Sequence, residues 1–184
     1  MELYALKGYQ DVSITDLQSA LDIGRGTLYY YFKDQDELFR TCMEKYFLEP
    51  KQRALNSVPD DAGVERMIEA MMSYLGSLEE ALMTFENQTI NTSNVNGLMF
   101  SAYTKFPTMY RQAKRLAIKE QELWRKAIYN DQRAELVRRD IDRDQVALMF
   151  AHIKNSYDSG LGQGQMDFSL LRKTYSELHN LIKK

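Results

Sequence analysis

The residues with the most distinctive chemistry lie in one short stretch, IGRGTLYYYFKD, which begins at Ile23. Arg25 carries a guanidinium that can form two parallel hydrogen bonds with O6 and N7 of guanine. Thr27 offers a hydroxyl and a methyl group, which suit a base edge or the methyl group of thymine. Tyrosine hydroxyls and the ammonium of Lys33 suit phosphate oxygens. The stretch therefore contains residue types for both base-reading and phosphate contacts with DNA.

The three consecutive tyrosines of this stretch cannot share one face of a helix, because neighbouring residues point about 100° apart. On a helical wheel, Leu28, Tyr31 and Phe32 form the inward face. Tyr29 and Tyr30 then point outward. The predicted outward surface comprises Gly26, Thr27, Tyr29, Tyr30 and Lys33.

An amphipathic helix precedes this stretch. Its apolar residues Ile14, Leu17 and Leu21 recur at helical spacing. Ser13 can cap its first turn together with Asp16, three residues further on. Thr15, in the same turn, is a further candidate for a DNA contact.

A tight turn, Asp22-Ile23-Gly24, joins this helix to a second one, which is predicted from about Arg25 to Lys33. We expect Gly24 to allow a turn conformation that other residues resist, and Gly26 to let the backbone approach DNA closely. Two helices joined in this way predict a helix-turn-helix, whose second helix enters the major groove.

An alternative interpretation is that the tyrosines form a half-buried surface patch without a ligand. The charge of the first 47 residues favours this alternative, because five Lys and Arg stand against eight Asp and Glu. A DNA-binding domain usually has a basic face. The pattern of residues alone leaves both interpretations open.

The rest of the chain is predicted to be helical, with no strand, which makes the fold class all-α. Asp34 and Glu37 suggest a cap for a helix that runs to about Phe47, and Pro50 ends or kinks that helix. Further helices are predicted from Val64 to about Leu82, from Pro107 to about Asp131, from Asp142, and after Asp167. The polar run Asn87–Gly97 and the glycines of GLGQG are predicted to be breaks between helices.

Composition excludes several classes of protein. The chain has 184 residues, a net charge of −2 and a single cysteine, Cys42, so an intramolecular disulfide framework is excluded. We expect a cytoplasmic protein without a membrane partner, because no apolar run approaches the length of a membrane span and no signal peptide opens the chain. No spacing typical of a catalytic, metal or cofactor site is present, so we predict no enzyme activity, metal or cofactor. Cys42 is interpreted as inert core, and His152 as a packing or interface residue.

The stretch GYQDVSITDLQSALDIGRGTLYYYFKDQDELF, Gly8 to Phe39, resembles the N-terminal signature of the TetR family of bacterial transcriptional repressors. Val137–Phe150 also resembles the entry to the penultimate helix of that family. The resemblance implies a homodimer with a DNA-binding headpiece, predicted at residues 1–47. It also implies a body, predicted at residues 48–184, that binds a small effector and dimerises through its last two helices. By position, Thr27, Tyr29 and Tyr30 are expected at operator DNA, with Arg25 at the base-reading end.

Two features depart from the family pattern. The family usually has a phosphate-contacting lysine where this chain has Gln35. Met1 also falls inside what should be the first helix, so we expect that helix to be truncated in the chain as given. A missing basic segment would account for the acidic balance of the headpiece.

The body contains two further sets of candidate residues. Soft apolar and aromatic side chains on the helices that enclose the pocket in the family predict a largely apolar effector, contacted by Met67, Met71, Phe100, Tyr103 and Trp124. Residues on the last two helices predict a dimer interface made of Met149, His152, Tyr157, Leu171, Tyr175, Leu178 and Ile182. Ordinary core packing is the alternative for each pocket residue. The alternative function is a helical dimer that acts by protein–protein contact, with a headpiece that no longer reads DNA.

Overall fold

The computed structural model describes residues 1–85, 90, 92–158 and 167–184. Ten α-helices form within these residues, and they contain no β-strand. The helices are α1 (Glu2–Lys7), α2 (Ile14–Leu21), α3 (Arg25–Tyr31), α4 (Gln35–Met43), α5 (Glu49–Asn56), α6 (Val64–Met83), α7 (Thr92–Lys105), α8 (Pro107–Arg133), α9 (Arg143–Asp158) and α10 (Phe168–Ile182). The predicted all-α fold class is therefore confirmed.

Side-chain caps define the starts of several helices, including the cap that the sequence predicts at Asp142. Asp142 accepts hydrogen bonds from the backbone N–H groups of Asp144 and Gln145, at 2.9 and 3.1 Å. Asp167 accepts one from Leu170 at 2.9 Å, at the start of α10. α8 begins at Pro107, where the missing N–H of proline costs no intrahelical hydrogen bond.

The helical run from Gln35 does not end before Pro50. A π-helical segment, Glu44–Leu48, joins α4 to α5, and the N–H of Glu49 donates to the carbonyl of Glu44, five residues earlier. Pro50 lies in the first turn of α5, directly after the wider π-helical turn. The run therefore continues to Asn56, and the boundary predicted after Phe47 falls inside its π-helical segment.

The polar run Asn87–Gly97 is also more helical than predicted. α7 begins at Thr92, so the second half of this run is helix rather than loop. Val95, Leu98 and Ala102 are buried at helical spacing. Their burial outweighs the preference of the intervening Asn, Ser and Gly for turns. Residues 86–89 and 91, and the GLGQG glycines, lie outside the described residues.

An aromatic stack forms the centre of the body. Trp124 of α8, Phe150 of α9 and Tyr175 of α10 are fully buried. The ring centroid of Trp124 lies 4.5 Å from that of Phe150 and 5.7 Å from that of Tyr175, in stacked geometry. The stack fixes the last two helices against α8.

A buried carboxylate anchors the start of α6. Asp131 of α8 accepts a hydrogen bond from the backbone N–H of Val64 at 2.8 Å. Gly63 makes this possible, because a Cβ at that position would lie 2.1 Å from Oδ1 of Asp131. His179 of α10 lies 4.0 Å from the same carboxylate, and burial lowers the pKa of its imidazole. His179 is therefore neutral near pH 7 and contributes to packing.

Candidate DNA-binding headpiece

α2 begins with the predicted capping box. The hydroxyl of Ser13 accepts a hydrogen bond from the N–H of Asp16, and the Asp16 carboxylate accepts from the N–H of Ser13 at 2.8 Å. Lys7 of α1 also donates to Asp16, at 2.6 Å. These hydrogen bonds, that from Lys7 foremost, hold the pKa of Asp16 well below its usual range. The first helix of the motif is thus fixed in position by its own cap and by α1.

The turn between α2 and α3 differs in detail from the prediction. Asp22 has the left-handed conformation, with φ 51° and ψ 45°, a region that Asp tolerates better than most residues. Gly24 has an ordinary φ of −70°. The expectation that Gly24 supplies the special conformation is therefore wrong, because the chain reverses two residues earlier.

α3 directs all three of its tyrosines toward solvent. Leu28 is its buried residue, whereas Tyr29 is exposed, Tyr30 is 82% exposed and Tyr31 is 68% exposed. The inward placement of Tyr31 is wrong, because α3 ends at that residue. Phe32 already has extended backbone, with φ −133°, and it turns toward the core in place of Tyr31.

The remaining candidate DNA contacts are all on the surface. Thr15 is exposed in the first turn of α2, and Thr27 and Lys33 are exposed on or just beyond α3. The guanidinium of Arg25 lies 5.6 Å from the centre of the Tyr29 ring, one turn further along α3. This cation–π contact holds Arg25 along the outward face of the helix. The structure therefore brings Arg25, Thr27, Tyr29 and Tyr30 to the exposed side of α3, and Lys33 is exposed two residues after the end of that helix.

Gly26 has open space around the position of a Cβ, so nothing within the chain requires glycine there. We therefore expect Gly26→Ala to have opposite effects on stability and on DNA affinity. Alanine should stabilise the fold by about 0.5–1 kcal/mol, because it restricts the unfolded chain. DNA binding should weaken, because the added methyl group points from the surface that is predicted to face DNA.

Thermal unfolding and gel-shift titration measure the two effects separately. Gly97→Ala is the matched control, since Gly97 is also helical, exposed and surrounded by open space, but it lies in α7. It should stabilise the fold without changing DNA affinity. Unchanged DNA affinity in Gly26→Ala would contradict a close approach of DNA to α3.

Several of the acidic residues that make the headpiece negative form hydrogen bonds or ion pairs within the protein. Asp16 belongs to the capping box, and Asp34 accepts from the N–H of Glu37 at 2.8 Å. Glu37 accepts from the N–H of Lys33 at 2.6 Å, and Asp36 is paired with a lysine of the body. Half of the eight carboxylates are therefore held in hydrogen bonds.

Gln35, which departs from the family pattern, also has a structural partner. Its amide donates to the backbone carbonyl of Val12 at 2.6 Å. The side chain thereby joins the start of α4 to the segment before α2. A lysine at this position could not make this contact and reach a phosphate at the same time.

The headpiece meets the body at an aromatic cluster. Tyr4, Tyr9 and Phe39 of the headpiece pack with Phe106, which links α7 to α8, with ring centroids 4.6–6.3 Å apart. Lys105 precedes Phe106, and its Nζ lies 2.6 Å from the hydroxyl of Tyr9. Burial and a hydrogen bond to a carboxylate raise the pKa of Tyr9. Sequence spacing gave no signal for this contact.

The residues predicted to bind an effector are only partly brought together. Met67 and Met71 of α6 and Trp124 of α8 are fully buried in one apolar core. Tyr103 of α7 packs against that core, and burial raises its pKa to about 12. Phe100 is 73% exposed and lies away from the others. A ligand pocket at these residues stays a prediction.

The residues predicted at a dimer interface include several that are buried within one chain. Leu171, Tyr175 and Ile182 form the inward side of α10, so they have no surface to offer a second subunit. Leu178 is partly buried, and the side chain of Tyr157 lies outside the described residues. An apolar stripe looks the same in sequence whether it packs inside one subunit or between two.

Other apolar side chains occupy the outward side of the last two helices. Met149 and His152 are exposed on α9. Leu170 and Leu181 are exposed on α10 and lie within about 20° of each other on a helical wheel. The dimer itself stays a prediction, but these residues are better placed to form it.

The described residues contain neither a membrane-spanning helix nor a metal-binding cluster. In that part of the chain, no helix has the length and apolar character of a membrane span. Nor do the same residues contain three or more His, Cys, Asp or Glu side chains placed to hold a metal ion. Cys42 is partly buried, and burial raises the pKa of its thiol, which keeps it protonated near pH 7.

Comparison with known proteins gives a family match for the headpiece and a shared fold for the whole chain. Residues 1–42 match the family model for bacterial regulatory proteins of the tetR family. No curated protein sequence matches the chain.

Solved structures share the fold of nearly the whole chain. The TetR family transcriptional regulator PfmR from Thermus thermophilus has 18% sequence identity and a TM-score of 0.65, over 97% of this chain and 93% of that one. The reduced form of NemR from E. coli has 15% identity and a TM-score of 0.61, over 98% and 92% of the two chains. The ketosteroid transcriptional regulator KstR2 of Mycobacterium tuberculosis has 14% identity and a TM-score of 0.60, over 99% and 90%. The chain thus has the fold of these transcriptional regulators.

Proposed function

We propose that this chain is a TetR-type transcriptional repressor that binds operator DNA as a homodimer and is released by a small, largely apolar effector. One observation carries the proposal. α3 presents Arg25, Thr27 and three exposed tyrosines outward, at the position that reads DNA in a helix-turn-helix. The match of residues 1–42 to the tetR family model supports the same function.

The side chains of α3 have two proposed roles: some determine sequence specificity and others position the helix on the DNA. Arg25, at the N-terminal end, is suited to pair with a guanine through two hydrogen bonds, and Thr27 to contact a base edge or a thymine methyl group. The hydroxyls of Tyr29 and Tyr30, with Lys33, bind phosphates and fix the register of the helix on the duplex. Thr15, in the first turn of α2, contacts the DNA backbone where the first helix of such a motif crosses it.

Tyr31 joins this surface as a residue that the helical wheel missed. Its ring lies 5.0 Å from that of Tyr30, in an edge-to-face arrangement. The two rings together form an exposed aromatic ridge at the C-terminal end of α3. A phosphate contact from its hydroxyl suits this position.

The homodimer is proposed to form through the outward side of α9 and α10. Met149, Leu170 and Leu181 are exposed there, and Leu181 is 71% exposed. A second copy related by two-fold symmetry would cover them. Two headpieces would then lie roughly 34–36 Å apart, or a small multiple of that, in register with successive turns of the major groove.

The effector is proposed to enter the core between α6, α7 and α8. Met67, Met71 and Trp124 supply apolar and polarisable surface, and Tyr103 supplies a hydroxyl at the edge of that core. Binding can release DNA only to the extent that the effector prefers one position of the headpiece over another. Operator DNA must then weaken effector binding by the same factor by which the effector weakens operator binding.

Footprinting of the full chain on the DNA that flanks its own gene tests the proposal. We expect a protected segment with two related half-sites, centred about one helical turn or a small multiple apart. Uniform, weak protection along the fragment would contradict specific DNA binding. It would favour the alternative function, a helical dimer that acts through protein–protein contact.

A further inference from the structure

We propose that Lys105, which lies in the body, is a positioning residue for DNA binding because it holds the headpiece in a fixed orientation. The inference rests on the proposed function and adds a residue that neither the helix-turn-helix pattern nor the pocket prediction contains. Lys105 is the last residue of α7. It reaches two separate elements of the headpiece with one ammonium group.

The contacts of Lys105 form a closed triangle. Its Nζ lies 2.6 Å from the hydroxyl of Tyr9 and 3.0 Å from Oδ1 of Asp36. The Tyr9 hydroxyl donates a hydrogen bond to the same carboxylate oxygen of Asp36. Nζ also lies 4.3 Å from the centre of the Tyr9 ring. Tyr9 follows α1 and Asp36 lies in the first turn of α4, so the lysine connects two separate elements of the headpiece to α7.

The covalent connection between headpiece and body makes such a contact necessary. The chain passes from one to the other through the helical run Gln35–Asn56, which contains the π-helical segment Glu44–Leu48. Irregular segments of this kind are where helices bend. Lys51 pairs with Glu120 of α8 at 2.6 Å and fixes the body side of that run. Lys105 contacts Asp36, which lies on the headpiece side of the π-helical segment. The two lysine contacts therefore hold the run on both sides of the segment that can bend.

The same corner of the body supports the contact with apolar packing. Phe106 lies 6.1 Å from Phe39 and 6.3 Å from Tyr9, measured between ring centroids. The guanidinium of Arg40 lies 5.6 Å from the Phe106 ring. Two adjacent residues, one cationic and one aromatic, thus make the junction. A displacement of α7 must therefore pass directly to the headpiece.

Lys105 is also close in sequence to the proposed effector region. Tyr103 lies two residues earlier on α7 and packs against the body core. An effector that shifts Tyr103 would shift Lys105 on the same helix. The contacts among Lys105, Tyr9 and Asp36 would then transmit this shift from the body to the DNA-binding helices.

Substitution of Asp36 separates positioning from a direct DNA contact, because the two roles predict opposite signs. Asp36→Asn removes a negative charge from the headpiece, and simple charge repulsion predicts tighter DNA binding. If the carboxylate holds the headpiece through Lys105, the same change must weaken operator binding. Lys105→Met should also weaken it, and the double variant should lose no more than the larger single loss.

Operator affinity of the full chain is measured by fluorescence anisotropy at constant salt. We expect losses of about 2- to 30-fold for Asp36→Asn and Lys105→Met, the range found for residues that modulate coupling between sites. Lys105→Arg should retain affinity within about twofold. The matched control is Lys126→Met, which removes an exposed lysine paired with Asp60 in the body and should leave affinity unchanged. Equal or tighter operator binding by Asp36→Asn would overturn the proposal.

Hydrogen exchange of the DNA-free chain gives a readout that does not depend on operator binding. We expect Lys105→Met to accelerate amide exchange in α1, α2 and α3, while α9 and α10 exchange as in the unsubstituted chain. Unchanged exchange in the headpiece would overturn the positioning role. Failure of the unsubstituted chain to bind any DNA specifically would count against the proposed function, and exchange would still decide whether Lys105 holds the headpiece.

Discussion

Lys51→Met is expected to destabilise the fold by about 3–5 kcal/mol, which is the cost of leaving a buried charge without its partner. The Lys51 side chain is 19% exposed and that of Glu120 is 6% exposed, and their charged atoms lie 2.6 Å apart. Within the described residues, no second ion pair reaches Glu120. Removal of the lysine would leave the Glu120 carboxylate without its partner in the core, between α5 and α8.

Urea denaturation at fixed protein concentration measures this loss. A variant that carries both Lys51→Met and Glu120→Leu should recover most of the stability, because a well-packed apolar pair can replace a buried ion pair. Arg53→Met is the matched control on the same helix. Its partner Glu49 lies 3.4 Å away and both side chains are mostly exposed, so the loss should stay below about 1 kcal/mol. Equal losses for Lys51→Met and Arg53→Met would contradict this account of the pair.

Arg25→Ala is expected to have the largest effect on operator binding. Each headpiece should lose about 1–3 kcal/mol, so a dimer with two half-sites should lose about 2–6 kcal/mol. The affinity for unrelated DNA should change much less, because a base-reading contact contributes to specific binding alone. Specificity should relax at one base step in each half-site.

Lys33→Ala provides the contrast for Arg25→Ala. A phosphate contact acts on every sequence alike, so Lys33→Ala should weaken operator and unrelated DNA equally and reduce the salt slope by about one unit. Titrations at three or more salt concentrations measure both quantities. Equal losses on operator and unrelated DNA for Arg25→Ala would refute its base-reading role.

The elements that depend on local chemistry could be predicted from the sequence. The capping box of Ser13 and Asp16, the cap at Asp142 and the start of α8 at Pro107 each involve residues close together in the chain. Such signals are complete within one turn of helix. The helix-turn-helix was predicted from this capping box and the spacing of its apolar residues, whereas its outward surface was predicted wrongly at Tyr31.

The errors occurred where tertiary packing decides the outcome. Burial of Val95 and Leu98 extends α7 into a run whose composition is typical of a loop. The early end of α3 leaves Tyr31 in solvent although a continuous helix would have turned it inward. Leu171 and Tyr175 lie on an apolar stripe, but nothing in the sequence says which subunit covers it.

The contacts between residues far apart in the chain could not be predicted at all. Lys105 and Asp36 are far apart in the chain, as are Lys51 and Glu120, and each residue alone resembles an ordinary surface charge. The same is true of Asp131, whose carboxylate caps a helix that starts 67 residues earlier. One sequence gives residue types and spacing along the chain, whereas these pairs depend on which helices become neighbours.

The exposed face of α3 is proposed to read a specific DNA sequence. The most direct measurement is the ratio of the dissociation constants of the full chain for a scrambled duplex and for the footprinted site, at about 150 mM salt. We predict a ratio of at least about 10³, the lower end for specific DNA-binding proteins. A ratio near one would contradict the claim, since it would mean that Arg25 and Thr27 contact no base.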